Sequence, residues 1–184
     1  EMIVLAVNKP RGIVCTEERR ERDSIVRFLN YPVRITYVGR LDKDSEGLLL
    51  MTNNGDIINR MMRAANKHEK EYKVTVDKPV TDEFLKEMAG GVPILDTVTR
   101  PCQVEKLGKY KFKIILTQGL NRQIHRMCEA LGYEVKELRR VRIMNIELGN
   151  LKPGEYRKVT DQELNELYEL IRDSKSEPTP WNNN

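Results

Sequence analysis

Aromatic residues are scarce in this chain: 6% of 184 residues, with one Trp and three Phe, so the apolar side falls to Ile, Leu, Val and Met. Cysteine is scarce too. Cys15, Cys102 and Cys128 are odd in number and contain no Cys-x-x-Cys pair, which argues against a disulfide framework and a thiolate zinc centre. Each lies among apolar neighbours and reads as a small buried thiol in a reducing cytoplasm. The two histidines, His68 and His125, lack metal-ligand spacing, so no metal site is expected. No apolar run approaches the roughly 20 residues that a transmembrane helix needs, and no membrane partner is expected. Residues 1–10 carry an apolar patch without the basic flank or cleavage site of a signal peptide. They read as a first strand.

Charge of one sign is also missing in bulk, since the formal net is only +4. Its distribution is more informative. Residues 155–177 hold seven acidic and four basic side chains, leaving +7 to the rest. Basic excesses lie at 60–73 and 119–142. A basic body with an acidic last helix suits a polyanion, although many unrelated enzymes share that balance.

Strand signals outnumber helix signals. Strands are expected at 3–7, 34–38, 48–52, 69–77, 99–105, 110–117 and 135–148. Tyr72, Val74 and Val76 alternate with charged or polar neighbours, as a half-buried strand requires. Helices are expected from Asp23 to Leu29, from Asp56 to Ala65, from Thr81 to Ala89, from Asn121 to Leu131, and from Thr160 onward with Leu164, Leu167, Leu170 and Ile171 buried. The elements do not follow a regular βαβ rhythm. The fold class is therefore α+β, on a mixed, largely antiparallel sheet with flanking helices. A single domain over 1–173, two lobes sharing one sheet, is expected before a disordered Ser-, Pro- and Asn-rich tail at 174–184.

The most informative segment is Gly39-Arg40-Leu41-Asp42-Lys43-Asp44-Ser45-Glu46-Gly47-Leu48, which runs into the apolar Leu49-Leu50-Met51. A carboxylate in a polar loop that feeds a core strand is held in place, not merely solvated. Asp42, Asp44, Glu46 and Gly47 fall at calcium-loop positions one, three, five and six, but position twelve is Asn53 where a bidentate Glu is needed. That leaves a structural Asp paired with Arg40, or a functional carboxylate.

The stretch Gly39-Arg40-Leu41-Asp42-x-x-Ser45-x-Gly47-Leu48-Leu49 resembles the catalytic motif of the pseudouridine synthases. The surrounding chain resembles the branch that modifies ribosomal RNA. Val7-Asn8-Lys9-Pro10-x-Gly12 looks like its opening motif, and Lys70-Glu71-Tyr72 like its tyrosine strand. Gly119-Leu120-Asn121-Arg122-Gln123-Ile124-x-Arg126-Met127 looks like its third motif, and Leu138-x-Arg140-x-Arg142-Ile143 like its closing strand. Residues 142–146 with 119–124 place it nearest the large-subunit members. The matches are in order and span residues 4–160.

The resemblance implies a synthase fold with a central cleft and cofactor-free isomerisation of uridine in ribosomal RNA. It makes Asp42 the carboxylate acting at the ribose, and either role open to it, nucleophile or base, requires an ionised group. Tyr72 would stack on the target base and take part in proton transfer at C5. Arg40 would displace and hold the flipped nucleotide's backbone. Lys9, Arg122, Gln123, Arg126, Leu138 and Arg140 complete the expected substrate contacts, and the extruded base needs a pocket. The motif usually continues Arg-Gln-Ile-Arg-Arg-Met, with the first Arg after Ile pairing with the catalytic Asp. Here that position is His125. Three readings stand: His125 substitutes as a pH-dependent partner, Arg126 or Arg122 reaches in, or activity is reduced. The first predicts that turnover falls above neutral pH and that His125→Arg flattens the fall. The expected partner is a stem-loop of large-subunit RNA, met by a cytoplasmic monomer. The expected chain is the catalytic domain alone, without the small basic RNA-binding domain that related enzymes often carry ahead of it. The alternatives are a weak or inactive RNA-binding relative acting in ribosome assembly, and a synthase acting on tRNA.

Overall fold

The computed structural model describes residues 1–172 and the backbone of Asn182–Asn183. The expected disordered tail otherwise lies outside the described residues. In chain order the elements are β1 (Val4–Lys9), α1 (Ile25–Leu29), β2 (Thr36–Val38), β3 (Arg40–Leu41), β4 (Glu46–Thr52), α2 (Gly55–Ala64) and β5 (Lys70–Val76). Then follow α3 (Asp82–Gly90), β6 (Pro93–Ile94), β7 (Thr97–Val98), β8 (Gln103–Gly108), β9 (Lys111–Leu116) and α4 (Gln123–Ala130). The last are β10 (Val135–Ile143), β11 (Ile146–Glu147), β12 (Tyr156–Lys158), α5 (Asp161–Ile171) and β13 (Asn182–Asn183).

Among the described residues one nine-stranded sheet runs β12-β1-β4-β10-β5-β9-β8, with β2 beside β4 and β11 beside β10. Its pairings are antiparallel except at the centre, where β10 runs parallel to β4. That seam divides the sheet. On one side β1 and β4 are buried on both faces, which explains their unbroken apolar runs. α2 and α5 cover one face, with Ile57, Met61, Leu167 and Ile171 in the core. α1 covers the other through Ile25 against Leu5, Leu49 and Met51. On the far side β5 and β9 bury only alternate residues, under α3 and α4.

The caps follow the side-chain chemistry. Asn54 accepts from Asp56 and Ile57 to start α2, Thr81 accepts from Phe84 to start α3, and Thr160 with Glu163 forms a capping box on α5. Four details differ from expectation, the first being that the strand expected at 99–105 begins only at Gln103, past Pro101. Ser24, not Asp23, caps α1. Leu170 is 41% exposed because α5 presents only Leu167 and Ile171 squarely to the core. The pairs β6–β7 and β12 were not anticipated, since two- and three-residue strands are too short to show a period.

Candidate active site

The site lies at the mouth of the β4–β10 seam. After β3 the chain turns through Asp42, Lys43, Asp44 and Ser45, closed by the Ser45 amide donating to the Asp42 carbonyl at 3.0 Å. The Gly12 amide donates to the Lys43 carbonyl at 2.7 Å, so the turn after β1 is fastened to the Asp42 loop. Gly47 makes the next step possible. It has φ +111, and a Cβ there would sit 2.2 Å from the Arg140 carbonyl oxygen. Only a glycine lets β10 come this close.

From the other half, the loop after β9 brings Arg122, which caps α4 in the left-handed region at φ 46. Its Nη1 donates to Asp42 Oδ2 at 2.9 Å and to Asp44 Oδ1 at 3.2 Å, while Nη2 donates to Asp44 Oδ2 at 3.0 Å. One guanidinium thus bridges two carboxylates. The Arg122 hydrogen bond holds the Asp44 carboxyl below its ordinary range. His125, one turn further along α4, places Nε2 3.7 Å from Asp44 Oδ2. Of the three partners considered for Asp42, Arg122 is the one that reaches it. Arg126 instead folds back on Asn121, bonding its carbonyl and side chain at 2.9 Å each. Asp42, Asp44 and Arg122 line a cleft of about 570 Å³ with Arg11, Gly12 and Lys43.

Several expected substrate contacts lie beneath this cleft instead of on its surface. Lys9 is buried and donates to the Pro10 and Ile13 carbonyls at 2.9 and 2.6 Å, knotting its own turn. Arg140 is buried and donates through Nε to the Leu48 carbonyl at 2.9 Å. Gln123 is buried, accepting from the Leu120 amide and donating to Gln118. Leu138 belongs to the core under α3 and α4. A motif position can be required for contact with substrate or for holding the site from below, and sequence alone does not separate the two cases. Arg40 is exposed beside the loop. Tyr72 is buried, its phenol pushed up to about 12 by burial against the opposing effect of the Arg140 guanidinium, which also hydrogen-bonds it. Asp44 was missed as a site residue, though a second carboxylate two residues past the first was its signal.

A fold of this topology, with an aspartate loop bridged to a helix-borne arginine over a buried tyrosine, invites comparison with known proteins. The family pattern described as RNA pseudouridylate synthase matches residues 3–130. This chain belongs to that family. It is 56% identical over 180 residues to the dual-specificity RNA pseudouridine synthase RluF of Escherichia coli strain K12, covering 98% of this chain and 62% of that protein. It is 36% identical over 163 residues to ribosomal small subunit pseudouridine synthase A of Yersinia pestis, covering 86% of this chain and 69% of the relative. The chain therefore spans about three fifths of the length of the RluF relatives. A solved pseudouridylate synthase superposes with a TM-score of 0.82 at 33% identity, over 91% of this chain and 74% of that one. The archaeal box H/ACA Nop10–Cbf5 complex shares the fold, with a TM-score of 0.57 at 23% identity.

Among the described residues no helix is long and apolar enough to cross a membrane.

Proposed function

We propose that this chain isomerises uridine to pseudouridine in ribosomal RNA, with a large-subunit stem-loop as substrate and Asp42 as the carboxylate acting at the ribose. The observation that carries the reading is the Asp42–Arg122 contact of 2.9 Å at the mouth of the cleft, within a chain so similar to RluF. In the reaction the C1′–N1 bond breaks, and its electron pair leaves with the base as a uracil anion. The base turns, and C5 supplies the pair that forms the new C1′–C5 bond. C5 then loses its proton and N1 gains one, so no atom or electron enters from outside. Asp42 acts at the sugar as nucleophile or base. The developing negative charge on the departing base favours a cleft lined by Arg122, Lys43 and Arg11. Stacking on Tyr72 requires the extruded base to open a path to a ring that is now covered. A monomer working in the cytoplasm is part of the same reading.

The test is tritium release from C5-labelled ribosomal RNA transcripts, with Asp42→Asn in parallel. Wild-type protein is expected to release tritium, and Asp42→Asn to lose on the order of a thousandfold or more in rate while binding RNA as before. Release from no ribosomal transcript would sink the proposal, and release from tRNA alone would move it to the tRNA alternative.

A further inference from the structure

Lys70 is 1% exposed, although it is a lysine at the first position of a strand. It shares the buried face of β5 with Tyr72, two residues on. Its Nζ donates to the Ala65 carbonyl at 2.6 Å and to the Thr117 carbonyl at 3.5 Å. These acceptors belong to different halves of the sheet. Ala65 closes α2, the helix that follows β4 and so travels with the Asp42 loop. Thr117 follows β9 and opens the run of chain that ends on Arg122. A second strut runs alongside. Arg100 donates to the Asn66 carbonyl at 2.7 Å, and its amide donates to Gln118 Oε1 at 3.1 Å. The same oxygen accepts from Gln123 at 3.3 Å.

Burying an ammonium is costly even when it is hydrogen-bonded. An apolar side chain would fill the space at less cost, so the position needs a reason beyond packing. The Asp42–Arg122 contact joins two elements that no covalent stretch keeps in register, and displacements of about 1 Å in such contacts cost on the order of a hundredfold in rate. We propose that Lys70 is a positioning residue for the proposed isomerisation: it ties the end of α2 to the loop that delivers Arg122 and thereby sets where Arg122 meets Asp42. Burial draws the Lys70 amine down to about 7, yet a neutral amine still donates two hydrogen bonds, so the tie holds on both sides of its titration. This inference rests on the isomerase reading for its kinetic test only.

The experiment measures single-turnover rate, RNA affinity and thermal melting for wild type, Lys70→Met and Lys70→Arg. Lys70→Met is expected to slow the reaction about tenfold with affinity within about twofold and the fold retained. Lys70→Arg should recover most of that rate, because a guanidinium can donate to both carbonyls. A folded Lys70→Met that reacts at the wild-type rate overturns the tie. Equal impairment of both variants also overturns it, since that is the mark of packing. If both fail to fold, Lys70→Gln decides, since its amide is polar but shorter: a folded chain with a rate about threefold lower at unchanged affinity supports the tie, and an unchanged rate removes it. A wild-type chain that makes no pseudouridine fails the functional reading instead. Crystal structures of the wild-type and Lys70→Met chains then test the inference, and an unmoved Arg122–Asp42 contact overturns it.

Discussion

Two groups of charges serve the same site and are handled in opposite ways. At the mouth of the cleft, Asp42, Asp44 and Arg122 meet charge to charge, partly open to water. Beneath them Lys9, Lys70 and Arg140 are buried and donate to backbone carbonyls. The upper group can exchange partners, because water and incoming phosphates compete for it. The lower group cannot, because a carbonyl released from a buried donor is left in a medium where that is expensive. A charge that must react is therefore held by other charges, and a charge that must hold a loop is held by the backbone.

The sharpest way to break this contrast is to empty the upper group. Arg122→Met should cut single-turnover rate by about a hundredfold with thermal melting nearly unchanged, because the pairs it removes are half open to solvent. A melting loss as large as that of a core mutation would show that the groups are not distinct.

Gly47→Ala attacks the lower group. The new methyl meets the Arg140 carbonyl at a positive φ, so urea unfolding should show a loss of more than about 2 kcal/mol. A loss under half that value would mean that β10 can move aside. Lys9→Met probes the same group through pH. Burial lowers Lys9 from its ordinary 10.5 to about 8, so the folded state holds the proton less tightly than the unfolded one. The penalty is in full force below about 8 and is relieved as pH rises toward 10.5. Wild-type stability should therefore gain over that window relative to Lys9→Met, and parallel curves would refute the burial argument.

The smallest effect is expected at His125. His125 is one of the partners that the motif leaves open for Asp42, the pH-dependent one, but it faces Asp44 at 3.7 Å while Arg122 occupies Asp42. His125→Arg should change the neutral-pH rate by less than about threefold. A flattened fall above neutral pH would give the partnership with Asp42 to His125 instead.

The legible parts of this molecule are those in which local chemistry and tertiary demand coincide. Tyr72, Val74 and Val76 announced their strand by alternation, and Thr160 with Glu163 announced α5 by its cap. The Asp42 loop was legible because Gly39-Arg40-Leu41-Asp42 stands in order with the motifs around it, whereas the polar turn by itself left a structural Asp open. Less legible were the depths at which cations sit. Lys9, Lys70 and Arg140 have the composition of surface residues, and only the three-dimensional meeting of turn, helix end and neighbouring strand supplies the carbonyls that make burial tolerable. The choice of Arg122 over His125 was hidden for a related reason. It depends on a left-handed residue at the start of α4, a conformation that an arginine does not advertise.

The parallel seam between β4 and β10 has a consequence for how the molecule comes into being. Arg140 pairs with Gly47, so β4 cannot receive its last neighbour until more than ninety further residues have been made. Through that interval β4 already has β1 along its length and β2 at Leu50, Met51 and Thr52, and the edge that stays open is at Glu46 and Gly47, beside the Asp42 loop. The floor of the Asp42 loop is thus completed late in synthesis, and a chain arrested before Arg139 lacks the pairing that brings β10 against Gly47.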